Sequence, residues 1–235
     1  MNIFYSNTVD NDMITLDRVE TNHCIKVLRH NPGDSVYVTD GQGYLYKCII
    51  EEFKGKTTFL KIVDKKEKLK KYNVHIAISP IKNHDRLEWF VEKAVEIGID
   101  KISFIKCERT LRKNIRIDRL KKVAITAMKQ SLKTTVPIID SITDIDNFLN
   151  SCTAENKFIC YLSNDKSLIF NKKIYKNKEI CILIGPEGDF SEKEINRALS
   201  KKFESLSLGD SRLRTETAGV IACHLANIIL GINKL

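Results

Sequence analysis

No stretch of this chain approaches the ~18 consecutive apolar residues of a membrane-spanning helix, so no membrane span is expected. The start, MNIFYSNTVDNDM, is polar and acidic rather than basic and then apolar, so no signal peptide is expected either. Seven cysteines (Cys24, Cys48, Cys107, Cys152, Cys160, Cys181, Cys223) include no C-x-x-C pair, and the five histidines lack ligand spacing, so no metal site is expected. The odd number of thiols and the missing secretion signal suit a reducing, cytoplasmic setting, with most cysteines acting as small core hydrophobes. The usual nucleotide signatures are missing too: there is no G-x-G-x-x-G, no G-x-x-x-x-G-K-[ST] and no G-x-S-x-G. Without the glycine fingerprint, a dinucleotide oxidoreductase is a distant reading. Internal repeats and low-complexity segments are absent as well.

What is present is a chain of 235 residues, 43% hydrophobic, long enough for one large domain or two modest ones. Its net charge of +9 is unevenly placed. Residues 1–71 carry 12 Lys/Arg against 10 Asp/Glu, while residues 72–235 carry 27 against 20. Lys106 to Lys133 alone holds ten basic residues against Glu108 and Asp118. Such local density is the footprint expected for a polyanion such as nucleic acid. A solvated helix face has the same composition, so charge leaves both readings open.

The run DKKEKLKKY, Asp64–Tyr72, is the linker candidate. Before it, SVYVTD (35–40), YLYKCIIEEF (44–53) and TTFLKIVD (57–64) read as strands around glycine turns, interrupted by a helix at 18–28; this is a small barrel or sandwich. After it, strands (74–79, 101–106, 157–163, 179–185, 204–208) alternate with helices (85–97, 118–132, 191–201, 215–230). Ser191-x-x-Glu194 is a capping box. Alternation of this kind implies an α/β domain with a largely parallel sheet. Ligands in such sheets sit beyond the carboxyl ends of the strands. The ends at Leu162–Asn164, Gly185–Asp189 and Leu208–Thr215 are therefore candidate walls of one pocket.

In ILIGPEGDFSEKEI (182–195) the turn after a strand carries Glu187 and Asp189. These would repel a phosphate but could accept hydrogen bonds from hydroxyls or an ammonium, as in a nucleoside without phosphates. Equally, both acids could serve the dipole of the helix opening at Ser191. SLGDSRLRTETAGV (207–220) places a second glycine turn and two arginines at a neighbouring strand end and helix start.

GPEGDFSEKEI with LGDSRLRTETA resembles the paired signature of the SPOUT class of S-adenosylmethionine-dependent methyltransferases. Within that class the chain resembles the bacterial family that methylates N3 of a uridine in 16S ribosomal RNA. The likeness covers nearly the whole chain: HCIKVLR and GDSVYVTDGQG resemble that family's PUA-like RNA-binding barrel, and RLEWFVEKAVEIGI, CERT and KQS its central motifs. The resemblance implies a PUA-like β-barrel at 1–71, then a SPOUT domain at 72–235 with a deep trefoil knot, and a homodimer acting on 16S rRNA or the small ribosomal subunit. It also implies S-adenosyl-L-methionine held by Leu162, Gly185, Pro186, Glu187, Gly188, Leu208, Gly209, Leu213, Arg214, Thr215, Glu216, Thr217 and Ala218.

Arg214 is expected to steady negative charge on the uracil, since guanidinium donors suit that task. Glu216 is a candidate base or cofactor-orienting group, or else a carboxylate serving the helix dipole. Arg29, Arg86, Lys93, Arg109, Arg112, Lys113 and Arg212 are the expected RNA contacts, although Lys93 has the helical spacing of a surface salt bridge with Glu96. The chain departs from the pattern at Asp189, where many members have a further glycine, at His84, at Lys129, where a glutamate is usual, and at Leu132-Lys133. Two other readings stay open: another SPOUT enzyme acting on tRNA or a ribose 2′-hydroxyl, and a noncatalytic RNA-binding assembly factor.

Overall fold

A computed structural model describes residues 2–68, 70–112, 114–162 and 179–232. The chain divides into two units: residues 1–70 with 125–136, and residues 71–124 with 137–235.

The first unit holds β1 (Ile3–Tyr5), β2 (Val9–Asp10), β3 (Met13–Leu16), the short helix α1 (Arg18–Asn22), β4 (Ser35–Thr39), β5 (Tyr44–Lys54) and β6 (Thr57–Glu67). The strands form one sheet in the order β1-β4-β5-β6-β3-β2. Only β1 with β4 is a parallel pair; the others are antiparallel. Alternation puts Val36, Val38, Tyr46, Cys48, Ile50 and Leu60 inward, where they pack with Phe4, Ile14, Leu16 and Cys24. The helix predicted at 18–28 is α-helical only to Asn22 and continues as a π-turn from His23 to Val27. The predicted linker is also corrected. β6 runs to Glu67, pairing Asp64, Lys65, Lys66 and Glu67 with β5. Lys65 is held there by its ammonium 3.8 Å above the Tyr44 ring, a cross-strand cation–π contact that a charge count does not show. The segment 125–136 also belongs to this unit: Gly43 N–H and the Thr39 hydroxyl both donate to Thr134 O.

The second unit holds β7 (Asn73–Ile78), α2 (His84–Ile97), β8 (Lys101–Lys106), α3 (Ile117–Gln130, whose last turns cluster with the first unit), β9 (Ile138–Asp144), α4 (Ile145–Ser151), β10 (Asn156–Cys160), β11 (Glu179–Ile184), α5 (Glu192–Ser200), β12 (Glu204–Ser205) and α6 (Thr215–Ile232). Its sheet runs β12-β10-β11-β7-β8-β9, and every pairing is parallel. Such a sheet needs cover on both faces, which is why β7, β8 and β11 read as mostly apolar runs. Ala77, Cys181 and Leu183 meet Phe148 and Leu149 of α4 and Ala198 of α5 on one face. On the other, α6 lies so close that a Cβ on Gly219 would come within 2.6 Å of the Phe90 ring and 3.0 Å of Ile78.

One polar ladder crosses this sheet. Ser103 Oγ donates to Asp140 Oδ2 (2.7 Å), so its oxygen accepts the Nε2–H of His75 (2.8 Å). Lys101 Nζ lies 3.0 Å from the same aspartate oxygen. Burial, reinforced by Lys101 and opposed by Asp140, pushes the His75 imidazole down from 6.5 to about 4. The unfolded chain therefore takes up this proton first. The stabilising contribution is complete above about 6.5 and is lost as pH falls towards 4. Denaturant unfolding at pH 7 and pH 4.5 is expected to show the natural protein losing roughly 2–3 kcal/mol more than His75→Gln. Equal losses would refute the buried neutral imidazole.

Candidate active site

A cavity of about 590 Å³ opens at the carboxyl ends of β10 and β11 and beyond β12. Its walls are Cys160–Leu162, Ile184–Asp189, Leu206–Gly209, Ser211–Glu216 with Ala218, and Arg86 from α2. Here the strand order turns: the chain leaves β7 towards β8 on one side, and β11 leads to β12 on the other. The three strand ends singled out in the sequence thus come together, except that Ser163 and Asn164 lie outside the described residues.

The turn after β11 is held from several sides. Gly185 O accepts the Thr215 hydroxyl at 3.1 Å, tying the start of α6 to the strand end. A Cβ on Gly185 would lie 3.0 Å from the Phe190 ring, a contact so tight that a side chain here would displace the ring. Asp189 N–H donates to Pro186 O (2.9 Å), closing the turn. The two acids that stand out in the sequence both grip main chain. Glu187 Oε1 accepts from Lys82 N–H (3.1 Å), and Asp189 accepts from Leu162 and Phe190 N–H (2.9 and 2.8 Å). α5 opens on the expected capping box, Glu194 accepting from Ser191 N–H and its hydroxyl (2.8 and 3.2 Å). The other Glu194 oxygen accepts Glu108 N–H at 2.8 Å.

Arg214 precedes the first turn of α6, its carbonyl accepting the Ala218 N–H (2.8 Å), and its side chain is exposed at the cavity. The Glu216 side chain is only 7% exposed and lies 3.5 Å from the Arg86 guanidinium. Leu208, Gly209, Leu213 and Ala218 line the cavity as expected, whereas Thr217 is not among the lining residues. The sequence reading omits Cys160, Tyr161, Ile184, Leu206 and Ser207, which also line it, whereas Ser211 falls inside the predicted wall at Leu208–Thr215. All five lie one or two residues before the predicted strand ends, so the carboxyl-end rule applied a residue or two more widely reaches them.

The expected RNA contacts scatter. Arg86 and Arg212 line the cavity. Arg109 donates to Gly188 O (2.7 Å) from the CERT turn, which the Thr110 hydroxyl closes by accepting Cys107 N–H (2.8 Å). Arg112 donates to Lys82 O and lies against His84. Lys93 is paired with Glu92 and Glu96 (2.7 and 2.8 Å). Arg29 is exposed in the first unit with a left-handed backbone (φ +57°), and Lys113 lies outside the described residues. The basic segment is partly neutralised by acids outside it: Lys106 pairs with Asp144, Arg119 with Glu88 and Lys129 with Glu20. Among the described residues no cluster of His, Cys, Asp and Glu could hold a metal ion. No helix among them is long and apolar enough to cross a membrane.

Residues 67–227 match the RNA methyltransferase domain family, and residues 16–63 match the RNA methyltransferase PUA domain. The chain is 30% identical over 227 residues to ribosomal RNA small subunit methyltransferase E of Rickettsia conorii, covering 92% of this chain and 90% of that one. Among solved structures, a probable rRNA-methyltransferase from Porphyromonas gingivalis superimposes with a TM-score of 0.91 at 35% identity, over 99% of this chain and 100% of that one. Ribosomal RNA small subunit methyltransferase E from Neisseria gonorrhoeae bound to S-adenosyl methionine gives 0.87 at 25% identity, over 97% and 98%.

Proposed function

The chain belongs to the ribosomal RNA small subunit methyltransferase E family, and from that membership we propose that it methylates N3 of a uridine in 16S ribosomal RNA, using S-adenosylmethionine. The observation carrying this reading is the strand-end cavity, built from both loop motifs of the family's paired signature. Its volume lies in the range of small-molecule sites. Leu162, Ile184, Leu206 and Leu208 offer apolar surface for a base, and the main chain of Gly185–Gly188 and Leu213–Thr215 offers hydrogen-bonding edges. Glu187 supplies negative charge suited to a sulfonium and an ammonium. These features fit S-adenosylmethionine, which when bound supplies an electrophilic methyl carbon.

The protein's own contribution is placement and charge. N3–H lies on the Watson–Crick edge, so the target uridine must be unpaired or flipped out. Arg214, exposed beside the cavity, steadies the negative charge that uracil gains as N3 gives its proton to solvent water. Glu216 holds Arg86 at the cavity rim. That geometry makes Glu216 an orienting group for Arg86 rather than a free acceptor. The PUA-like barrel within 1–71, the SPOUT domain of 72–235 with its trefoil knot, homodimerisation and a cytoplasmic location belong to the same proposal.

Incubating small ribosomal subunits that lack the modification with methyl-labelled S-adenosylmethionine, then digesting to nucleosides, is expected to place label in 3-methyluridine. Label in a 2′-O-methyl nucleoside or in tRNA would indicate another SPOUT activity. Binding to RNA with neither label nor cofactor binding would indicate an assembly factor. RNA affinity is expected to fall roughly tenfold or more between about 50 and 200 mM salt, as phosphate contacts release counterions. A flat response would remove the basic segment from the RNA footprint.

A further inference from the structure

Asp189 sits in the left-handed region (φ +63°), where glycine is at ease and aspartate is among the few other residues tolerated. Its Oδ1 accepts the N–H of Phe190 (2.8 Å) and its Oδ2 that of Leu162 (2.9 Å). The second bond reaches across strands. Pairing of β10 with β11 ends at Cys160 and Ile184, so Leu162 lies beyond the last main-chain rung. A side chain from the turn after β11 supplies one more rung where the ladder has stopped. One residue earlier, Tyr161 packs against the sheet core and sets its hydroxyl 2.9 Å from Ser205 Oγ, whereas the Leu162 N–H is taken by Asp189. The Leu162 side chain is 63% exposed, so packing does little to hold this strand end. Both partners of the rung line the cavity. A glycine at 189 would adopt the same backbone but could not accept either N–H.

We propose that Asp189 is a positioning residue for the cofactor: its carboxylate latches the end of β10 to the turn after β11 and sets the width of the cleft between them. The inference deepens the proposed function and rests on it. Its role is to keep the cleft ready, so its loss is felt in cofactor affinity rather than in the chemical step.

The test is calorimetric binding of S-adenosylmethionine to the full chain, with steady-state kinetics, for the natural protein, Asp189→Gly and Asp189→Asn. Asp189→Gly is expected to weaken binding roughly tenfold, the scale of one hydrogen bond to a charged group. Its kcat at saturating cofactor is expected to stay within about twofold, since a lost ground-state contact moves KM and not kcat. Asparagine keeps one acceptor oxygen and tolerates the left-handed backbone, so Asp189→Asn is expected to bind within about threefold of the natural protein. Amide exchange at Leu162 is expected to quicken in Asp189→Gly and to stay slow in Asp189→Asn. A melting point that drops in Asp189→Gly while affinity is unchanged would overturn the latch. So would an Asp189→Asn protein as weak as Asp189→Gly, because charge and not the rung would then be the cause. Should Asp189→Gly fail to fold, affinity and Leu162 exchange in Asp189→Asn decide alone. Failure of the natural protein to bind S-adenosylmethionine would instead refute the function on which the inference rests.

Discussion

Replacing Arg214 with alanine is expected to lower methyl transfer to ribosomal RNA by about 100-fold or more, the scale of removing one preorganised donor from a developing charge. Arg214 immediately precedes α6, an 18-residue helix whose amino end carries partial positive charge. A guanidinium there is disfavoured by a few tenths of a kcal/mol to about 1 kcal/mol. Its side chain is exposed, and Thr215, not Arg214, ties this helix start to Gly185. Arg214→Ala should therefore leave the melting temperature unchanged or slightly raised while activity collapses. Arg214→Lys should not restore the rate, because an ammonium lacks the planar fork. A variant that loses stability in proportion to activity would show Arg214 to be structural, and one with unaltered turnover would remove it from the mechanism.

The largest expected effect on stability lies in the first unit. Glu20 on α1 is buried, its side chain only 8% exposed, and its carboxylate accepts Tyr5 N–H (3.3 Å) and pairs with the Lys129 ammonium. Removing one member of a buried pair strands the other, at a cost of about 3–5 kcal/mol. Lys129→Ala is expected to destabilise the protein by that amount, a large share of the ~5–15 kcal/mol total typical of folded domains. Lys129→Met combined with Glu20→Gln removes both charges and should recover most of the loss. Denaturant unfolding of the natural protein, Lys129→Met, Glu20→Gln and the double variant closes the cycle; Lys129→Ala within about 0.5 kcal/mol of the natural protein would show the pair to be solvated. This pair gives the lysine at 129, where the resemblance leads one to expect glutamate, a definite partner in this chain.

Legibility in the sequence followed burial. β7, β8 and β11 are covered on both faces and read as apolar runs with bounds right to a residue or so. β9 (IIDSITD) is an edge strand with Asp140 turned into a polar ladder and Ser141 exposed, so its composition resembles a loop. β6 continues through the charged run because long strands share a ladder and a cation–π contact, neither of which shows in a charge pattern. ESLSL shrinks to a two-residue strand, since Glu204 and Ser205 pair with β10 and the contact ends on one further bond, Leu206 N–H to Ile159 O. The basic segment from Lys106 to Lys133 shows the reverse error: its charge is plain in sequence, but its partners Glu20, Glu88 and Asp144 lie elsewhere in the chain.

By itself the sequence determined the α/β alternation, the capping box at Ser191, the three strand ends that wall the cavity, and the loop motifs that point to the family. Each is set by short-range chemistry: periodicity, caps, glycine turns and local spacing. Only the tertiary structure decided that Glu187 and Asp189 grip main chain, that Glu216 meets Arg86, and that Arg109 and Arg112 hold loops. Those pairings join residues far apart in the chain, as Asp189 is joined to Leu162, 27 positions away. A carboxylate or guanidinium has several possible partners, and which one it takes depends on where folding brings the chain together.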